Sequence, residues 1–140
     1  MSNRIVRPVR AWADYDLWSV YLEFEDGKLG FRRYVIPKGG AGRLTESFDV
    51  FPGVAAALQG DGPKSGSLNS LRVLYENGWW LRLDPLKGPT TTAVHDWFWY
   101  LHQEQDAPEI PHGRFTEDKD SEAVERAMIA AAAFFSQRQD

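Results

Sequence analysis

Residues Pro89 to Gln105 read PTTTAVHDWFWYLHQEQ, and the fold turns on how this aromatic run is wound. Trp97, Phe98, Trp99 and Tyr100 are consecutive, and no packed element turns four such residues to one side. As a helix, Val94, Trp97, Phe98 and Leu101 fall at i, i+3, i+4 and i+7 and make one apolar stripe, while His95, Trp99 and His102 make a second. As a strand, Trp97, Trp99 and Leu101 share one face, and Thr, Val, Trp, Phe and Tyr all favour that state. The helix is preferred, because Thr91 or Thr92 supplies a cap and Asp96 lies near the positive N-terminal end, where a carboxylate is favoured.

On the N-terminal side of this run, Leu68 to Asp84 carries a hairpin signal. The apolar alternation of LRVLYE is followed by Asn77-Gly78 and then by WWLRLD. Trp79 and Trp80 are adjacent, so in a strand they point to opposite faces. One is core, and the other is either covered by a helix or exposed as a contact residue of the kind enriched in binding hot spots. An earlier hairpin alternates Trp18, Val20, Leu22 and Phe24 against Ser19, Tyr21, Glu23 and Glu25, turns at Asp26-Gly27 and returns through LGFRRYVI. The segment Arg4 to Ala13 is expected as an irregular edge strand, since Pro8 cannot donate to a central ladder, with Arg4, Arg7 and Arg10 blunting the edge. Pro37 to Arg43 and Asp61 to Ser67 read as loops, and Phe48 to Leu58 leads into a short helix.

On the C-terminal side, Asp106 to Asp120 is a loop rich in proline and acids. Asp118, Asp120 and Glu122 invite a calcium reading, but Ala123 and Ile129 stand where an EF-hand needs its glycine and its terminal acid. Ser121 to Arg138 is a helix with Ser121 as N-cap and a buried stripe of Val124, Met128, Ala131 and Phe135, flanked by Ala127, Ala132 and Phe134. The fold class is therefore α+β, one domain over residues 1–140. An antiparallel sheet of about five strands, two hairpins plus the N-terminal edge, is expected to pack against the aromatic helix and the C-terminal helix.

The chain has no cysteine, so disulfides, thiolate nucleophiles and Cys-ligated zinc are excluded. No stretch has the apolar length of a membrane span, the first ten residues lack the apolar run of a signal peptide, and a cytoplasmic location is expected. Net charge is −4, divided unevenly. Residues 1–45 hold eight Lys/Arg against five Asp/Glu, and residues 100–140 hold four against nine. An acidic chain is a poor candidate for nucleic-acid binding, which draws its affinity from phosphate neutralisation.

Chemistry-bearing motifs are missing. On one helix, His95 and His102 stand two turns apart, too far to ligate one metal, and His112 lies in the following loop. GxSxG, P-loop and GxGxxG spacings are absent, so no catalytic residue, metal or cofactor is assigned. The expected function is a small acidic protein-binding module, an immunity- or antitoxin-type bacterial inhibitor that occludes another protein, such as a basic toxin or effector. Trp79, Trp80 and Trp99 would anchor it and Asp118, Asp120 and Glu122 would steer it. The alternatives are a small enzyme with a pocket among His95, His102 and His112, or a phage or multisubunit structural component.

Overall fold

The computed structural model describes residues 6–24, 31–37, 43–48, 57–58, 67–86, 96–103 and 110–138, with backbone alone at 43–48 and 138. Its strands are β1 (Pro8–Tyr15), β2 (Trp18–Phe24), β3 (Phe31–Pro37), β4 (Arg43–Phe48), β5 (Leu68–Tyr75), β6 (Trp80–Leu86), β7 (Asp96–His102) and β8 (His112–Thr116). They are followed by the helix α1 (Asp120–Arg138). All eight strands join one antiparallel sheet in the order β4-β3-β2-β1-β5-β6-β7-β8.

The aromatic run is a strand, which corrects the helix expected over 89–105; its first seven residues lie outside the described part of the chain. In β7, alternation sends Trp97 and Leu101 into the core and turns Phe98, Tyr100 and His102 to the opposite face. Trp97 is 1% exposed and donates its indole N–H to the carbonyl of Glu117 at 3.0 Å. The strand is fixed from both sides, by β6 along its whole length and by β8 from Asp96 to Tyr100. Backbone pairing with two neighbours is what a helix here would have forfeited.

The N-terminal strand is also not an edge. β1 lies between β2 and β5, and the ladder tolerates Pro8 because it is the first strand residue, at a register shift between Pro8 and Arg10. The expected five strands become eight because β4, β7 and β8 extend the sheet. Of the helix expected near residues 48–58, Phe48 ends β4 and Ala57 and Leu58 are buried, while the residues between lie outside the described part. The Asp26-Gly27 turn lies outside it too, although β2 and β3 pair continuously from Phe24–Phe31 to Trp18–Pro37.

The second hairpin closes through Glu76, Asn77 and Gly78. Tyr75 N–H donates to the Trp79 carbonyl at 2.9 Å, Gly78 N–H to the Tyr75 carbonyl at 3.0 Å, and Trp79 N–H to Asn77 Oδ1 at 3.1 Å. Gly78 has φ +86°, the left-handed residue that ends a three-residue loop.

One face of the sheet is the core side. Across it run Val20, Ala13, Leu71 and Leu83 in one register row and Leu22, Ala11, Val73, Leu81 and Leu101 in the next, all at 0% exposure. Helix α1 covers the β6–β7 end with Ala123, Val124, Ala127, Ala131 and Phe135 buried and Met128 and Phe134 partly so. The helix starts one residue before the expected cap, and Asp120 Oδ2 accepts the N–H of Leu68 at 2.9 Å, pinning its first turn to the start of β5. Phe135 packs edge-on to Tyr75 at 4.8 Å and Phe134 to Trp79 at 5.2 Å. At the other end, the carbonyls of Leu58 and Ala57 accept hydrogen bonds from Tyr15 Oη at 2.9 Å and Arg33 Nε at 2.8 Å. Among the described residues no helix is long and apolar enough to cross a membrane.

Candidate functional site

The second face of the sheet carries neither α1 nor the Ala57–Leu58 segment. Strand alternation decides what it displays, and the displayed residues are not the small polar ones that usually face water. Reading the register from strand to strand, Tyr34 pairs with Tyr21, Tyr21 with Trp12, Trp12 with Arg72, Arg72 with Arg82, Arg82 with Tyr100 and Tyr100 with His112. One row of side chains thus crosses seven strands with five aromatic or imidazole rings and two guanidiniums. At roughly 4.8 Å per strand step it is about 29 Å long.

The rings touch along the row. Tyr34 and Tyr21 have centroids 5.8 Å apart, Tyr21 and Trp12 4.9 Å, and Trp12 and Trp80 5.7 Å at an interplanar angle of 28°. Trp80 therefore reaches over β5 to stack on Trp12. Beyond the arginines, Phe98 lies 5.7 Å from Tyr100 and 5.9 Å from His112, and Tyr100 lies 5.7 Å from His102. The guanidinium of Arg72 sits over the Trp12 ring at 5.0 Å and that of Arg82 over Tyr100 at 6.0 Å. Both are cation–π arrangements, and the two cations lean to opposite sides.

The electrostatics of the row are unbalanced at its centre. Arg72 and Arg82 are directly opposed across β5 and β6, a like-charge pairing that costs stability, and the row contains no carboxylate. Arg82 Nε is buried with no hydrogen-bond acceptor, and an unmet donor of this kind costs about 1–3 kcal/mol. Carboxylates flank the row instead. Asp14 accepts from Ser19 Oγ at 2.9 Å, and Glu23, paired with both Arg10 and Arg32, accepts from Tyr21 Oη at 3.2 Å. Burial raises the Tyr21 phenol above its ordinary pKa, with Glu23 adding to the effect and Arg10 opposing it. Asp84, two residues after Arg82, is also raised by burial, and Arg82 pulls it back.

The tryptophans expected as anchors divide between the faces. Trp80 is on the open face, whereas Trp79 is 6% exposed beneath Phe134 and Trp99 lies on the helix side, over Gly113 of β8. Trp99 and His102, expected on one helical stripe, are three positions apart in a strand and so point to opposite sides. His102 and His112 share the open face, and His95 lies outside the described residues. The Nδ1 of His112 is 2.9 Å from the Ile110 carbonyl, to which it donates. Asp118 and Glu122 are exposed where β8 meets α1, and Asp120 is engaged with the Leu68 backbone. Nearby, Glu117 pairs with Arg126 at 2.9 Å while Arg126 lies over the Phe115 ring at 5.1 Å. Among the described residues no group of three or more metal-ligating side chains converges.

Sequence reasoning missed Trp12, Tyr21, Tyr34, Arg72, Arg82 and Tyr100. The available signal was that the outward positions of the alternating strands hold Tyr, Trp and Arg where Ser, Thr or Lys would suffice. No family model matches this chain, and no match was found among curated proteins or solved structures.

Proposed function

We propose that this chain is a protein-binding module that covers a partner with the open face of its sheet, the mode of action of an immunity- or antitoxin-type inhibitor. The observation that carries this reading is the seven-residue row Tyr34, Tyr21, Trp12, Arg72, Arg82, Tyr100 and His112. Its composition is that of an interface centre, where Tyr, Trp, Phe and Arg are enriched and Lys is depleted. Arginine and aromatic side chains lose little conformational freedom on binding when they already pack on one another, as these do. Charges of both signs border the row, Arg10, Arg32 and Arg114 with Asp14, Glu23 and Asp84, a pattern that selects a partner's register.

The expected steering role of the acidic residues 118–122 is set aside in this proposal, since Asp120 holds the helix to β5 and the aromatic row is on the other side of the sheet. The test is affinity capture from the source cells with three baits: the wild-type chain, the double variant Tyr34→Ala/Tyr100→Ala, and Ile129→Ala on the exposed side of α1. One stoichiometric protein retained by the wild type and by Ile129→Ala, and lost at least about tenfold from the double variant, is the expected outcome. A partner that the double variant retains in full contradicts the proposal.

A further inference from the structure

We propose that the occupant of the open face is an acidic, extended protein segment whose carboxylates seat on Arg72 and Arg82. This rests on the reading of that face as a protein-binding surface and adds the chemistry of what binds. The two arginines stand opposite one another at the middle of the row, with aromatic side chains on both sides and no carboxylate among them. Each guanidinium lies over a ring, Arg72 on Trp12 at 5.0 Å and Arg82 on Tyr100 at 6.0 Å. A guanidinium held against a ring still directs its N–H fork outward in its own plane, the geometry that receives a carboxylate through two parallel hydrogen bonds. The Nε of Arg82 is buried, so a carboxylate on this face meets Arg82 through the two terminal nitrogens of its guanidinium. Because the two cations lean to opposite sides, each takes its own carboxylate, which gives the face a reason to favour an acidic ligand over a neutral one.

Other anionic occupants fit less well. A nucleic-acid strand carries a charge at every nucleotide, and along this face it would meet Asp14, Glu23 and Asp84 in the flanking rows, on a chain whose net charge is already −4. A protein segment places its carboxylates only where they are needed and presents uncharged or basic groups elsewhere. A row of about 29 Å accommodates roughly nine residues of extended chain at about 3.3 Å each.

The experiment uses the full chain and a fluorescein-labelled nonapeptide of serine and valine with glutamate at its fifth and seventh positions only, with its glutamine counterpart and labelled nine-nucleotide oligothymidylate as comparisons. Binding is read by fluorescence anisotropy at low and at physiological ionic strength. The glutamate peptide should bind more weakly as salt rises and at least about tenfold more tightly than the glutamine peptide. Arg72→Gln/Arg82→Gln should abolish that preference. Should this variant fail to fold by circular dichroism, Arg72→Lys/Arg82→Lys keeps both charges, removes the forks and should reduce the preference several-fold. Equal affinity for the two peptides, tighter binding of the oligonucleotide, or a preference that survives loss of both arginines would each overturn the proposal. So would a stable dimer in light scattering that disperses on Arg72→Gln/Arg82→Gln, because the occupant would then be a second copy. A partner captured by the arginine variant but not by Tyr34→Ala/Tyr100→Ala overturns the carboxylate anchor alone. Capture that ignores the open face removes the underlying reading as well.

Discussion

Gly113 has no room for a methyl group. A Cβ at that position would stand 2.6 Å from Nε1 and 2.9 Å from Cε2 of Trp99, its register partner on β7. The indole lies close against the glycine because nothing projects from it. Gly113→Ala must push Trp99 off its packing, at an expected cost of about 1–3 kcal/mol, read as a lower denaturant midpoint with an unchanged m-value. Gly78 is required for a different reason: open space surrounds it, but its φ of +86° is unfavourable for any residue with a Cβ. Gly78→Ala is expected to cost about 1–2 kcal/mol through the backbone alone. Asp84 gives the residue-scale pH dependence. Burial raises its pKa in the folded chain, and Arg82 only partly offsets that, so ionised Asp84 disfavours folding at neutral pH. As pH falls the folded chain takes up this proton before the unfolded chain does, and the penalty disappears. Asp84→Asn should therefore raise the melting temperature at neutral pH, with a gain that vanishes once pH falls below the ordinary carboxylate range.

At the scale of elements, α1 and β7 show where a pattern is enough and where it is not. The helix was legible because its apolar positions recur at 3.6-residue spacing and its alternatives are poor. Val124, Ala131 and Phe135 are buried as expected, and Ile129, placed on the polar side by the same count, is 63% exposed. Phe135→Ala should cost about 3–5 kcal/mol, whereas Ile129→Lys should stay within about 0.5 kcal/mol, both measurable by chemical denaturation. In β7 the four consecutive aromatics satisfy a helical stripe and a strand equally, and the decision belongs to the neighbours. β8 is one of those neighbours, yet in His112–Thr116 only Phe115 is a large apolar residue, so it gives no alternation to read. The hairpin at Asn77-Gly78 was readable from its turn chemistry, and so was the separation of Trp79 from Trp80 onto opposite faces. Which of the two would be covered depended on where α1 lands, a tertiary fact. The candidate row was hidden for a related reason: Tyr34, Trp12, Arg82 and His112 are far apart in sequence and meet only when seven strands take one register.

For the molecule as a whole, the asymmetry between its two faces governs everything else. Among the described residues, α1 and the Ala57–Leu58 segment cover one side of the eight-stranded sheet, and the core there joins aliphatic register rows from Val20 to Leu101 with the aromatic rings of Phe31, Trp97 and Phe135. On the other side, rings pack against each other and arginines pack against the rings, and among the described residues no helix lies over them. The central claim is that a partner protein lies on this second side. Site-specific photocrosslinking tests it most directly, with benzoylphenylalanine placed in turn at Tyr34, Tyr100 and Ile129 and irradiated in the source cells. The account predicts one discrete heavier adduct from the Tyr34 and Tyr100 positions and none from Ile129. An adduct from Ile129 with none from either tyrosine would contradict it.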